Sequence, residues 1–146
     1  MWERDAIQES FALGAFSEFL KDHASIEMKA KVTGKPYWVA RLAGYNAATF
    51  DGPRIKARYE HWGMFLPAHP QVMCVLQRAQ WWFAENPNVP KPPTMKLSDV
   101  CASFGISADG AHDALADVRM TVRLAQVLAS PVIPMVTEAA EEVATV

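Results

Sequence analysis

The chain is short of cysteine, of net positive charge and of long apolar runs, and each shortage excludes something. Cys74 and Cys101 are the only cysteines among 146 residues, and they sit in apolar surroundings without metal-ligand spacing. They read as reduced core residues of a cytoplasmic protein, with a disulfide between them as the alternative. The formal net charge of −2 argues against a broad basic surface for duplex nucleic acid, because that mode of binding neutralises many phosphates with Lys and Arg. No run approaches the roughly 18 apolar residues a membrane span needs, and Met1-Trp2-Glu3-Arg4-Asp5 does not open a basic-then-apolar leader. Membrane insertion and secretion are therefore not expected. Internal repeats and low-complexity tracts are also missing from the sequence.

What is present suits one folded domain, since a 51% apolar fraction over 146 residues is enough for a core. Ile7, Phe11, Leu13, Phe16, Phe19 and Leu20 fall mostly at three- and four-residue steps, which predicts an amphipathic helix from about Asp5 to His23. A polar stretch from Lys29 ends in the turn signal Thr33-Gly34-Lys35-Pro36 and leads into Tyr37 to Gly44, a buried strand by composition. Pro53 suits a helix first turn, and Ile55, Tyr59 and Trp62 give that helix an apolar face ending near Gly63. Val72 to Leu76 reads as a second short strand and Gln77 to Ala84 as a helix. Four prolines between Glu85 and Thr94 predict an extended surface loop. Leu97 to Phe104 reads as a short helix, with Ser98 as its cap and Gly105 as its stop. A long helix then runs to about Leu128 with Leu115, Val118, Val122 and Ala125 along one face. Residues 131–146 read as a frayed or disordered tail behind a domain spanning 1–130.

Two segments carry chemistry. Gly44-Tyr45-Asn46-Ala47-Ala48-Thr49-Phe50-Asp51 lies where a strand passes into a helix, and His112-Asp113-Ala114-Leu115-Ala116-Asp117 runs from a turn that delivers His112 into the last helix, which bears Asp117. Taken singly, these residues have ordinary explanations. A lone Asp after a strand is more often a helix cap than a ligand, so Asp51 by itself reads as a cap. Asp117 by itself reads as a solvated or ion-paired side chain, and Asp113 and Arg119 as surface charges. Trp81 and Trp82 read as packing residues rather than base-stacking platforms, and His23, His61 and His69 take no role.

The ordered set says more than its members. Asn46, Phe50-Asp51, Gly63, Val72 to Leu76, Lys96-Leu97, Phe104-Gly105-Ile106 and His112 to Asp117 follow one another along residues 5 to 128 in a pattern that resembles the DEDDh 3′-5′ exonuclease family. The segments resemble that family's second and third motifs, and the nearest likeness is to bacterial and phage domains of the polymerase III epsilon type used in DNA replication and proofreading. The resemblance implies a ribonuclease H-like α/β fold and hydrolysis of DNA or RNA from a single-stranded 3′ end. It also implies two divalent ions, Mg²⁺ or Mn²⁺, held by carboxylates and stabilising the attacking and leaving oxygens of an in-line displacement. Carried over residue by residue, Asp51 and Asp117 become metal ligands, His112 the acceptor of the proton of the attacking water, and Asn46 a contact to the loop or the substrate strand. An enzyme that grips one strand end through metal ions needs no broad basic surface.

The family's first motif, an Asp-x-Glu strand followed by two further strands, has no counterpart. Glu3 and Asp5 come in reversed order at a helix start and do not replace it. The expected fold is thus a partial, helix-rich ribonuclease H-like fold with the N-terminal strands of the sheet missing. An exposed strand edge of that kind invites association with a second copy, a partner chain or a missing piece of the same protein. Two carboxylates are too few to neutralise two divalent cations, so little or no nuclease activity is expected of the isolated chain. Two readings stand side by side. One is the C-terminal part of an exonuclease domain, and the other a non-catalytic remnant that binds a polymerase or replication partner.

Overall fold

The computed structural model describes residues 7–110 and 113–130, and these form two compact units that meet in sequence at Cys74 and Val75. The first unit opens with helix α1 (Glu9–Asp22), which buries Ser17 and Leu20. Strands β1 (Ile26–Lys29) and β2 (Pro36–Val39) follow and pair antiparallel in the register Ile26 to Val39 through Lys29 to Pro36. Gly34, with φ +68°, provides the left-handed residue of the connection between them. Strand β3 (Ala43–Gly44) pairs parallel with β4 (Met73–Cys74), and helix α2 (Asp51–His61) lies in the crossover between them.

The strand expected from Tyr37 to Gly44 is in fact two pieces serving different partners. Its first half completes the hairpin with β1, Ala40 makes a single parallel bridge to Ala68, and its second half turns to β4. Strand β1 was hidden to the sequence reading because it offers only four residues of alternation, exposed at Glu27 and Lys29 and half-buried at Ile26 and Met28. Strand β4 is shorter than the expected Val72 to Leu76, because Val75 and Leu76 already belong to the next helix.

Helices α1 and α2 are held together in two ways. Tyr59 on α2 is 1% exposed, and its hydroxyl lies 2.9 Å from both Ser17 Oγ and the Leu13 carbonyl oxygen of α1. At the surface, Arg58 donates to both oxygens of Glu9, and Trp62 Nε1 donates to Glu9 Oε2 at 2.9 Å. The Arg58 guanidinium, and after it the Trp62 indole N–H, hold the Glu9 carboxyl down at about 2, below its ordinary value of 4.5.

The second unit comprises α3 (Val75–Glu85), α4 (Leu97–Ser103) and α5 (Ala114–Ala129). An aromatic cluster of Trp82, Phe83 and Phe104, with ring centroids 4.9 to 5.7 Å apart, anchors its core beside Ala79, Val100 and Cys101. Burial pushes the Cys101 thiol up to about 11, so this cysteine is an inert core residue, and both cysteines are free. Gly105, at φ +67°, follows α4 as the expected stop. The N-cap of α4 is Lys96 rather than Ser98.

The buried stripe of α5 is not the apolar face that its spacing picks out first. Met120, Leu124 and Leu128 face α3 and α4, whereas Leu115, Val118 and Val122 are 54%, 58% and 50% exposed. The helix carries two apolar stripes, and the one with larger, less branched side chains at four-residue spacing is the one buried. Trp81 and Trp82 likewise part company, Trp82 in the core and Trp81 exposed. Residues 131–146 of the expected tail lie outside the described residues, as do Glu3 and Asp5. Among the described residues no helix is long and apolar enough to cross a membrane.

Candidate active site

The turn that delivers Asp51 is compact, and its residue types are dictated by close approach. Asn46 opens it with φ +58°, a left-handed conformation that asparagine tolerates better than other side-chain-bearing residues. Its carbonyl oxygen then accepts from the amides of Thr49 and Phe50 at 3.2 and 3.1 Å, and Gly52 N donates to the Ala47 carbonyl at 2.8 Å. Ala47 is buried beneath the turn. A Cβ on Gly44 would come within 2.9 Å of the Ala47 Cβ, and one on Gly52 within 2.9 Å of Val72 Cγ2 and 3.0 Å of the Ala47 carbonyl. Glycine at 44 makes room for the Ala47 side chain, and glycine at 52 lets the turn close onto Val72.

Asp51 is therefore the first residue of α2, exposed, at the positive end of the helix. The capping position belongs to Phe50, and the helix start carries no side-chain capping hydrogen bond. The commonest structural job for an aspartate at this place is thus not the one it performs. Pro53, in the first turn, sacrifices no intrahelical bond. Asn46 is exposed at the opposite end of the same turn and shapes it through its backbone.

In the second unit Asp117 lies in the first turn of α5 and is half-buried. The Asp117 amide donates to the Asp113 carbonyl at 2.9 Å, and Thr121 Oγ1 donates to the Asp117 carbonyl at 2.8 Å. Asp113 has a structural task that the sequence reading missed. It is the N-cap of α5, and its Oδ2 accepts from the Ala116 amide at 3.0 Å. An aspartate immediately ahead of an Ala-Leu helical run is the signal that identifies such a cap. His112 lies outside the described residues. Asn46 and Asp51 share one turn of the first unit, and Asp117 belongs to the second.

A second feature invisible to periodicity is the pair beside Asp51. The Arg54 guanidinium lies 3.3 Å above the centre of the Phe50 ring, and both side chains are exposed.

Divalent ions need more than these two aspartates provide. Their carboxylate oxygens are the hard donors that Mg²⁺ and Mn²⁺ prefer. Among the described residues, however, no group of three or more His, Cys, Asp or Glu side chains is placed to hold a metal ion. The described residues alone do not compose a two-ion site.

Comparison with known proteins agrees with the motif pattern. No curated protein and no solved structure matches the chain significantly. The exonuclease family of RNase T matches residues 12–125, a span that takes in both the Asp51 turn and the Asp117 helix. Among the described residues, five helices with short parallel and antiparallel strands are consistent with a partial ribonuclease H-like fold of that family. Members of the family are nucleic-acid hydrolases that generally use divalent metals. The chain belongs to this DEDDh exonuclease family.

Proposed function

We propose that the chain is the C-terminal part of a 3′-5′ exonuclease domain, with Asp51 and Asp117 as two of the carboxylates of its metal centre. The observation that carries this reading is the place of Asp51. It stands first on α2, on a turn that two glycines allow to pack tightly, and it does not cap its helix. Bound divalent ions supply charge neutralisation at the scissile phosphate in such enzymes. The chain's own contributions are two hard-oxygen ligands, His112 as the group that takes a proton from the attacking water, and Asn46 as a contact to the single-stranded 3′ end. The remaining carboxylates come from outside the described residues, in cis or in trans.

A second reading is a non-catalytic module that binds a polymerase or replication protein, and it draws on the described residues holding no group of three His, Cys, Asp or Glu side chains placed for an ion. Digestion of end-labelled single-stranded DNA in Mg²⁺ or Mn²⁺ separates the two. The chain alone is expected to turn over negligibly. Joined to an upstream segment carrying an Asp-x-Glu strand, it is expected to remove nucleotides from the 3′ end, and to lose that activity on Asp51→Asn or Asp117→Ala. Robust turnover by the chain alone, lost on Asp117→Ala, refutes the incomplete centre. No turnover in the completed protein refutes the enzyme and leaves the binding module.

A further inference from the structure

We infer that Arg54, held flat on the Phe50 ring, is a phosphate contact for a single nucleic-acid strand whose end is presented to Asp51. This rests on the reading of Asp51 as a nuclease ligand. Helix α2 carries three Lys or Arg side chains, and two of them are engaged by acids of the same unit. Lys56 Nζ lies 3.7 Å from Glu60, and Arg58 is clasped by Glu9. Arg54 follows Asp51 by three residues, a spacing at which a helical ion pair forms readily. Yet among the described residues Arg54 makes no salt bridge, and its guanidinium lies 3.3 Å over Phe50 instead.

The arrangement has chemical consequences. Phe50 is 52% exposed, so its ring serves the fold little as a core residue and serves as a support for the cation. A guanidinium held by its face keeps its N–H donors directed outward in one plane, the geometry that matches two phosphate oxygens. The exposed N-terminal end of α2 adds partial positive charge in the same place. In a chain of net charge −2, this puts one unneutralised cation beside the aspartate that is proposed to face the scissile phosphate. A neighbouring phosphate of the same strand is the anion that fits. Support from the ring also restricts the side chain before binding, which lowers the entropy lost when the contact forms.

The test measures binding of a fluorescent oligo-dT strand to the chain by anisotropy, in EDTA and over a series of salt concentrations, so that neither metal nor turnover enters the result. Arg54→Gln is expected to weaken binding and to reduce the slope of log K against log salt by about 0.7, the contribution of one phosphate on a single strand. Arg54→Lys keeps the slope with weaker binding, because the charge stays and the planar fork is lost. Phe50→Leu behaves like Arg54→Lys. Lys56→Gln removes the same charge from the same helix and is expected to change the slope less, since that ammonium already faces Glu60. Equal effects of Arg54→Gln and Lys56→Gln, an unchanged slope in Arg54→Gln, or failure of the unaltered chain to bind the strand each overturn the inference. If the nuclease assignment fails, turnover is absent from the completed protein while the Arg54 dependence of binding persists.

Discussion

The contact between Tyr59 and Ser17 lends itself to a quantitative test, because proton counting limits what it contributes. Three distances of 2.9 Å connect Ser17 Oγ, Tyr59 Oη and the Leu13 carbonyl oxygen. The two hydroxyls bring one proton each and the carbonyl brings none, so at most two of the three contacts are hydrogen bonds at any moment. Tyr59→Phe leaves Ser17 donating to Leu13, and Ser17→Ala leaves Tyr59 donating to Leu13. Each single substitution therefore loses one bond and orphans no buried atom, at a cost of about 1 kcal/mol. The double substitution loses both, about 2 kcal/mol, so by this count the two losses add, in contrast to the coupling of about 0.5 to 3 kcal/mol common between residues in contact. Urea unfolding followed in parallel by tryptophan fluorescence and far-ultraviolet circular dichroism measures all four proteins at once. A double mutant no less stable than either single one would show that the hydroxyls bond chiefly to each other, and would refute the counting. The junction matters for the proposed site because α2 carries Tyr59 in its last turns and Asp51 at its start.

Two further outcomes follow from side chains near helix ends. Glu9 titrates at about 2 in the folded chain against an ordinary 4.5, so its contact with Arg58 and Trp62 is complete above the higher value and is lost as pH falls toward the lower. Thermal melting of the unaltered chain is expected to weaken through that acid window, and Glu9→Gln is expected to remove this component. Identical acid profiles for the two proteins refute the assignment. Asp113→Ala removes the cap of α5 and is expected to cost about 1 kcal/mol and to speed hydrogen exchange at the Ala116 amide, while Asp113→Ser keeps most of both.

How much of this was legible in the sequence depended on whether the signal was local. The Asp51 turn, the α2 helix with its stop near Gly63, and α4 ending at Gly105 are written in glycine, proline and short periodic runs, and they stand where those residues place them. The buried face of α5 was not legible, because Leu115, Val118 and Val122 satisfy helical periodicity as well as Met120, Leu124 and Leu128 do. Only packing against α3 and α4 decides between them. Strand β1 failed for the opposite reason, since its pattern is too short to register until β2 pairs with it. In the candidate site, Asp51 and Asp117 were reached through motif order, whereas the Arg54 and Phe50 pair depends on a rotamer that no spacing rule specifies. The cap made by Asp113 is legible in an aspartate directly ahead of Ala114, although a charge at the surface explains the same residue equally well until the helix start is seen.

The parallel pairing of Ala43–Gly44 with Met73–Cys74 also sets an order of events in synthesis. A nascent chain that has emerged only as far as His61 has made the aspartate and the whole of its helix, but not the valine that the turn leans upon. The loop must wait for that surface to leave the ribosome, since a crossover closes only when its second strand arrives. A pause in translation before Val72 would therefore leave the Asp51 loop transiently without its support, the stage at which a chaperone or protease finds it most accessible.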